Sequence, residues 1–212
     1  MNAMAGAHCW YAETRIGQGY GKADIGGPFV LLDQNGKTRS DMDFRGKHMF
    51  MYFGFTYCPD ICPNEMMRMK QILSLLDKMH VSDKIVPIFI TIDPERDGPL
   101  QLKEYLSDWD SRIVGLTGTP DQIKDVCQKY RVYHSKSTLG NNPGDYLIDH
   151  SILFYMLDPQ GNFVDYFGKS LSIEEIAMKI FKYVSGALTR VCSPNSVASK
   201  SIDHLLPPLK EE

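Results

Sequence analysis

The sequence predicts an α/β fold in which a mixed central sheet is flanked by helices. Three observations carry that reading. "HMFMYFGF" (48–55) is a dense apolar run of strand length, as expected for a strand covered on both faces. Beyond it, strand-like and helix-like stretches alternate, which implies parallel neighbours. Near the end, "SILFYML" and "NFVDYFG" flank Asp158-Pro159-Gln160-Gly161, a hairpin that requires an antiparallel pair.

In chain order, residues 29–47 read as an N-terminal β-hairpin: apolar "FVLLD", the turn "QNGK" with its Asn35-Gly36 signal, and a polar return ending in "DFRGK". After the 48–55 strand the pattern is helical from Pro63 to His80. Proline suits a first turn, Glu65 suits the positive end of the helix dipole, and Met66, Met69, Leu73, Leu76 and Met79 approximate one face. "KIVPIFITID" (84–93) is a second strand, with Pro87 as a blemish. "PERDGP" reads as a solvated turn, Pro99 to Trp109 as a helix, "RIVGLTG" as a short strand and Pro120 to Tyr130 as a further helix. Together these last elements form an α/β insertion. "HSKSTLGNNPGDY" (134–146) reads as a loop, and "SIEEIAMKIFKYVSG" (172–186) as an amphipathic helix opened by a Ser172/Glu175 capping box. The resulting β-α-β … β-β-α outline is thioredoxin-like.

The chain's 212 residues suffice for one well-cored domain plus tails. We expect a flexible N-terminal segment (1–25), a folded domain over 26–186 and a loosely ordered tail (187–212). Hydrophobic content of 43% and charged content of 23% suit a globular protein in water. A net charge of -3 without a basic stripe gives no footprint for nucleic acid. No 18-residue apolar window marks a membrane span, and no signal peptide is visible. The glycine-rich start reads as the trimmed edge of a longer protein.

Cysteine number is odd, and five are too few for a disulfide scaffold in a chain this long. Only Cys58 and Cys62, in "FTYCPDICPNE", are close in sequence. Four residues apart on or just before a helix, their Cα atoms would lie roughly 6 Å apart, within disulfide range. Thiolates at a helix N-terminus are also favoured as nucleophiles and metal ligands. The pair therefore suits a redox dithiol or a soft-metal grip, against the plainer alternative of buried packing residues. Two observations bear on the choice. Three residues separate the cysteines where thioredoxin-like dithiols have two, and Asp149-His150 stands where such folds present their cis-proline. An imidazole beside two thiolates makes a Cys2His set suited to copper or zinc, with Asp149 available to orient the ring.

Other groups invite blander readings. His134 sits in a polar loop, His48 precedes a strand and His80 ends a helix. His8 and Cys9 lie in the glycine-rich start. Met66, Met67 and Met69 are helix methionines, Cys127 is a packing residue and Cys192 a tail thiol. Asp93, Glu95, Arg96 and Asp97 form a charged turn with local ion pairs.

"YFGFTYCPDICPNEM" (52–66), "ITIDPERDGP" (90–99), "DYLIDHS" (145–151) and "DPQGNFVDYFG" (158–168), in this order, closely resemble the Sco/SenC family from about Gly26 to Gly186. The resemblance implies a thioredoxin-like copper protein that serves assembly of the dinuclear copper A centre of cytochrome c oxidase. It makes Cys58, Cys62 and His150 ligands of copper, Cu(I) or Cu(II), with Asp149 in support. It also implies an oxidase subunit and an upstream copper chaperone as partners, and no turnover of a small-molecule substrate. The family's usual transmembrane anchor, in the mitochondrial inner membrane or a bacterial plasma membrane, is not in this sequence. The tail and the missing lipobox favour the mitochondrial setting, with the domain facing the intermembrane space. The same cysteines imply a second reading, reduction of the acceptor's thiols.

Overall fold

A computed structural model describes residues 25–138 and 146–186. The segments expected to be flexible (1–25, apart from Ile25) and loosely ordered (187–212) lie outside these residues, with His8, Cys9 and Cys192.

The described residues open with β1 (Val30–Asp33) and β2 (Thr38–Ser40), antiparallel as expected. Gly36 takes the left-handed conformation (φ +76°) in the turn, and the Asp33 carboxylate accepts from the amides of Asn35 and Lys37. The return strand is shorter than its sequence suggested. Ser40 and Asp43 make a reciprocal capping box that turns Asp41–Phe44 into a 3-10 helix.

β3 (His48–Gly54) is buried from Met49 onward on both faces. It runs parallel to β4 (Ile85–Thr91), which runs parallel to β5 (Val114–Thr117). Pro87 is tolerated within β4 because β5 pairs only from Ile88 onward, leaving that side of the strand free. β8 (Phe154–Leu157) lies antiparallel to β3, and β9 (Phe163–Phe167) closes the late hairpin. The seven-stranded order is β2-β1-β5-β4-β3-β8-β9.

Four helices flank this sheet: α1 (Ile61–Lys78), α2 (Pro99–Ser107), α3 (Pro120–Lys129) and α4 (Ile173–Ser185). α1 and α4 pack side by side, and α2 packs on β5. The capping box predicted for α4 is present, with the Ser172 hydroxyl accepting from the Glu175 amide at 3.2 Å and Glu175 accepting from the Ser172 amide at 2.7 Å.

The segment read as a loop over 134–146 is the main departure. His134–Thr138 forms β6, which pairs antiparallel with β7 (Tyr146–His150) in a separate two-stranded sheet; 139–145 lie outside the described residues. "HSKST" has no apolar alternation, so its strand state comes from pairing and not from local pattern. No helix among the described residues is long and apolar enough to cross a membrane.

Candidate metal centre

The end of β3 and the start of α1 set the cysteines. A Cβ on Gly54 would stand 2.8 Å from a Tyr52 ring carbon and 3.1 Å from Cys62 Sγ, so glycine makes room for the thiol. Cys62 lies in the first turn of α1, fully buried, and Cys58 lies half-buried in the preceding turn. Both are free thiols. The Asp60 side chain makes no capping hydrogen bond to the helix. Instead the Cys62 amide donates to Cys58 Sγ at 3.3 Å, so sulfur takes the place of the usual oxygen cap.

That arrangement divides the thiols. The Cys62 S–H, followed by the amides of Cys62, Asp60 and Ile61, pulls the Cys58 thiol down to about 5, against the opposing effect of burial. Donation to Cys58 and burial push Cys62 far up. At neutral pH the metal-free pair is one thiolate accepting from one thiol, and the two titrate as a unit.

β7 brings His150 to the pair. Its Nε2 is 3.5 Å from Cys62 Sγ, and its Nδ1 is 2.9 Å from the Ser151 carbonyl. A carbonyl can only accept, so Nδ1 carries the proton and Nε2 turns its lone pair toward the thiols. Burial holds the ring's pKa below the usual histidine value, which keeps it neutral. Phe55 and Tyr52 meet it edge-on, at centroid distances of 6.0 and 6.1 Å. The orienting bond expected from Asp149 is thus made by the Ser151 carbonyl. Asp149 is exposed, one register position away on the strand's other face.

Among the described residues no three His, Cys, Asp or Glu side chains already form a metal cage. The three groups are joined pairwise through Cys62. Thiolate and imidazole ligands bonded at about 2.3 and 2.0 Å to one ion, with angles of about 110–120°, stand about 3.5–3.7 Å apart. The Cys62–His150 separation matches that spacing, and the donor set of two sulfurs and one neutral imidazole fits a soft ion such as Cu(I). A cleft of about 250 Å³ lined by Pro28, Phe29, Val126 and Lys129 lies elsewhere, on β1 and α3.

The "DPERDGP" turn leaves Glu95 exposed and forms the expected local ion pair between Arg96 and Asp93, but two of its carboxylates leave solvent, and sequence reasoning missed its part in the site. Asp93 and Asp97 are completely buried. Asp97 accepts from the Thr56 amide (2.9 Å), the Thr56 hydroxyl (2.5 Å) and the Thr91 hydroxyl (2.6 Å), pinning the start of the cysteine turn. Burial still raises its pKa. Arg96 pairs with Asp93 at 2.5 Å and donates to the Tyr146 carbonyl at 3.2 Å. Its guanidinium lies 3.7 Å from the Tyr146 ring centre, 5.0 Å from that of Tyr57 and 5.9 Å from that of Phe55. Arg96 therefore ties β7, which carries His150, to the turn that carries Cys58. Tyr52, also missed, donates its hydroxyl to Cys62 Sγ at 3.7 Å. Thr56 for Asp97 and Tyr146 for Arg96, both distant in sequence, reveal most of these roles. Of the remaining candidates, Met66 and Met69 are core residues and Met67 is exposed, while Cys127 is buried in the core as expected.

Protein SCO2, mitochondrial, of Saccharomyces cerevisiae is 48% identical over 177 residues, 81% of this chain and 58% of its own length. Protein sco1 of Schizosaccharomyces pombe is 45% identical over 164 residues, 77% of this chain and 62% of its own. The chain thus spans about three fifths of these relatives. Yeast Sco1 crystallised with copper bound superposes with a TM-score of 0.71 at 44% identity, over 77% of this chain and 90% of that one. The SCO1/SenC family model matches residues 17–185, and with relatives this similar the chain belongs to the SCO1/SenC family.

Proposed function

We propose that the chain binds one copper ion through Cys58, Cys62 and His150 and delivers it to the copper A subunit of cytochrome c oxidase during assembly. The observation that carries the reading is the neutral imidazole whose Nε2 faces Cys62 Sγ at 3.5 Å while Nδ1 is held by a carbonyl. Copper in the yeast relative's crystal and membership in a family of oxidase assembly proteins support it. Two thiolates and an imidazole leave Cu(I) with open coordination, so an incoming ligand enters before one departs. Copper is cargo here, and the protein is not a turnover enzyme. The folded unit over 26–186 works in the intermembrane space, tethered to the mitochondrial inner membrane, and takes copper from an upstream chaperone.

The test is anaerobic loading of the reduced chain with Cu(I), followed by metal analysis and X-ray absorption. One copper per chain with two sulfur ligands and nitrogen is expected, and His150→Ala is expected to lose most of the metal. Substoichiometric copper, or unchanged retention in His150→Ala, would refute the proposal.

The division of the thiols favours a second reading, reduction of the acceptor's cysteines. Cys58, held down to about 5, is the attacking thiolate, and buried Cys62 resolves the mixed disulfide. Reductase activity that survives His150→Ala intact, beside weak copper binding, would place this role first.

A further inference from the structure

His134 is the residue whose surroundings differ most from what the sequence suggested, and it stands directly across from His150. In the β6–β7 ribbon the Cα partners are His134 and His150, followed by Ser135 and Asp149. Directly opposed residues of an antiparallel pair project to the same face. The preceding pair, Tyr133 and Ser151, is the hydrogen-bonded kind: the Ser151 amide donates to the Tyr133 carbonyl at 3.0 Å, and the Tyr133 amide donates to the Ser151 hydroxyl at 3.1 Å. Hydrogen-bonded and non-hydrogen-bonded pairs alternate along such a ribbon. His134 and His150 therefore form a non-hydrogen-bonded pair, the closer kind, with Cα atoms about 4.5 Å apart. One imidazole of the pair already has Nε2 at Cys62 Sγ. The second is half-exposed beside it.

We propose that His134 is a fourth ligand, which joins Cys58, Cys62 and His150 when the site holds Cu(II). This rests on the copper site proposed above. Three donors dominated by thiolate satisfy Cu(I), whereas Cu(II) takes four donors in a tetragonal arrangement and favours imidazole nitrogen. A half-exposed ring on a two-stranded ribbon can swing without disturbing the seven-stranded sheet. It adds a nitrogen at the side of the site that opens to solvent. The same side chain then lets one site hold copper in both oxidation states.

The deciding measurement is the number of imidazoles bound to Cu(II), counted by pulsed electron paramagnetic resonance on the freeze-trapped, Cu(II)-loaded full chain and on His134→Phe. Two are expected in the native chain and one in the variant. Phenylalanine keeps a bulky ring suited to a strand. Cu(II) affinity is expected to fall roughly ten- to a hundredfold in the variant, while Cu(I) affinity stays within about twofold because thiolates dominate that state. A single imidazole in the native chain overturns the proposal whatever the variant does, and so does an unchanged count in His134→Phe. Copper bound through one imidazole leaves the three-ligand site standing. Failure to bind copper in either oxidation state removes both.

Discussion

Cys62 has its seat because residue 54 lacks a side chain. The three nearest neighbours of the missing Cβ belong to buried groups: the Tyr52 ring at 2.8 Å, Cys62 Sγ at 3.1 Å and the Phe89 ring at 3.1 Å. None is the free end of a flexible chain, so the packed core must shift to admit a methyl group. Gly54→Ala is predicted to cost about 1–3 kcal/mol, the range for overpacking, read from urea unfolding of the reduced chain. A loss below about 0.5 kcal/mol, typical of surface changes, would show that the site yields easily. Spacing and position made Cys58, Cys62 and His150 readable from the sequence. The partner of His150 Nδ1 was not readable, because a carboxylate and a backbone carbonyl are equally good acceptors and only the ring's orientation selects Ser151.

At the scale of elements, the site is a junction between the β3–α1 turn and the β6–β7 ribbon, with Arg96 as the clamp. Its Nε serves Asp93, its Nη1 serves the Tyr146 carbonyl, and its flat face covers the Tyr146 ring. Tyr146 donates to the same Asp93 at 2.6 Å, closing the network. Lysine can keep the charge beside Asp93 but lacks the planar fork and the stacking surface. Arg96→Lys is therefore predicted to fold while loosening the ribbon, with amide exchange over 146–150 faster by roughly tenfold or more and exchange in β3 and β4 unchanged, a local opening in the sense of. Equal acceleration in both regions would mean that Arg96 serves global stability only. β3 and α1 were legible because apolar run and helical periodicity agree with their burial. β6 and the "DPERDGP" turn were not, since polar β6 is a strand only through its pairing with β7, and Asp97 and Asp93 take partners from Thr56 and Tyr146, far away in sequence.

For the whole molecule, the mixed sheet followed from the alternation of elements, whereas the strand order that sets β1 beside β5 left no local mark. The site's electrostatics also reach this scale, through the linkage of protonation to folding. Cys58 titrates at about 5 in the folded chain, chiefly because Cys62 donates to it, against about 8.5 for an unfolded thiol. Between those values the unfolded chain binds more protons, so folding stability rises with pH. Equivalently, the stabilisation is complete above about 8.5 and is lost as pH falls through about 5. His150, held below its ordinary value by burial, acts in the same direction once pH drops under about 6.5, where the unfolded ring takes up a proton. Buried Asp97 is raised and so opposes them, but it is common to native and variant chains. The reduced, metal-free chain is therefore predicted to melt at progressively lower temperature from pH 8.5 to pH 5, and Cys58→Ser to show a visibly flatter profile over the same interval. Differential scanning calorimetry under a phosphine reductant checks this. Parallel profiles for the two chains would mean that the Cys58 thiolate is not stabilised by the fold, and the cap formed by the Cys62 amide would then be a contact without electrostatic consequence.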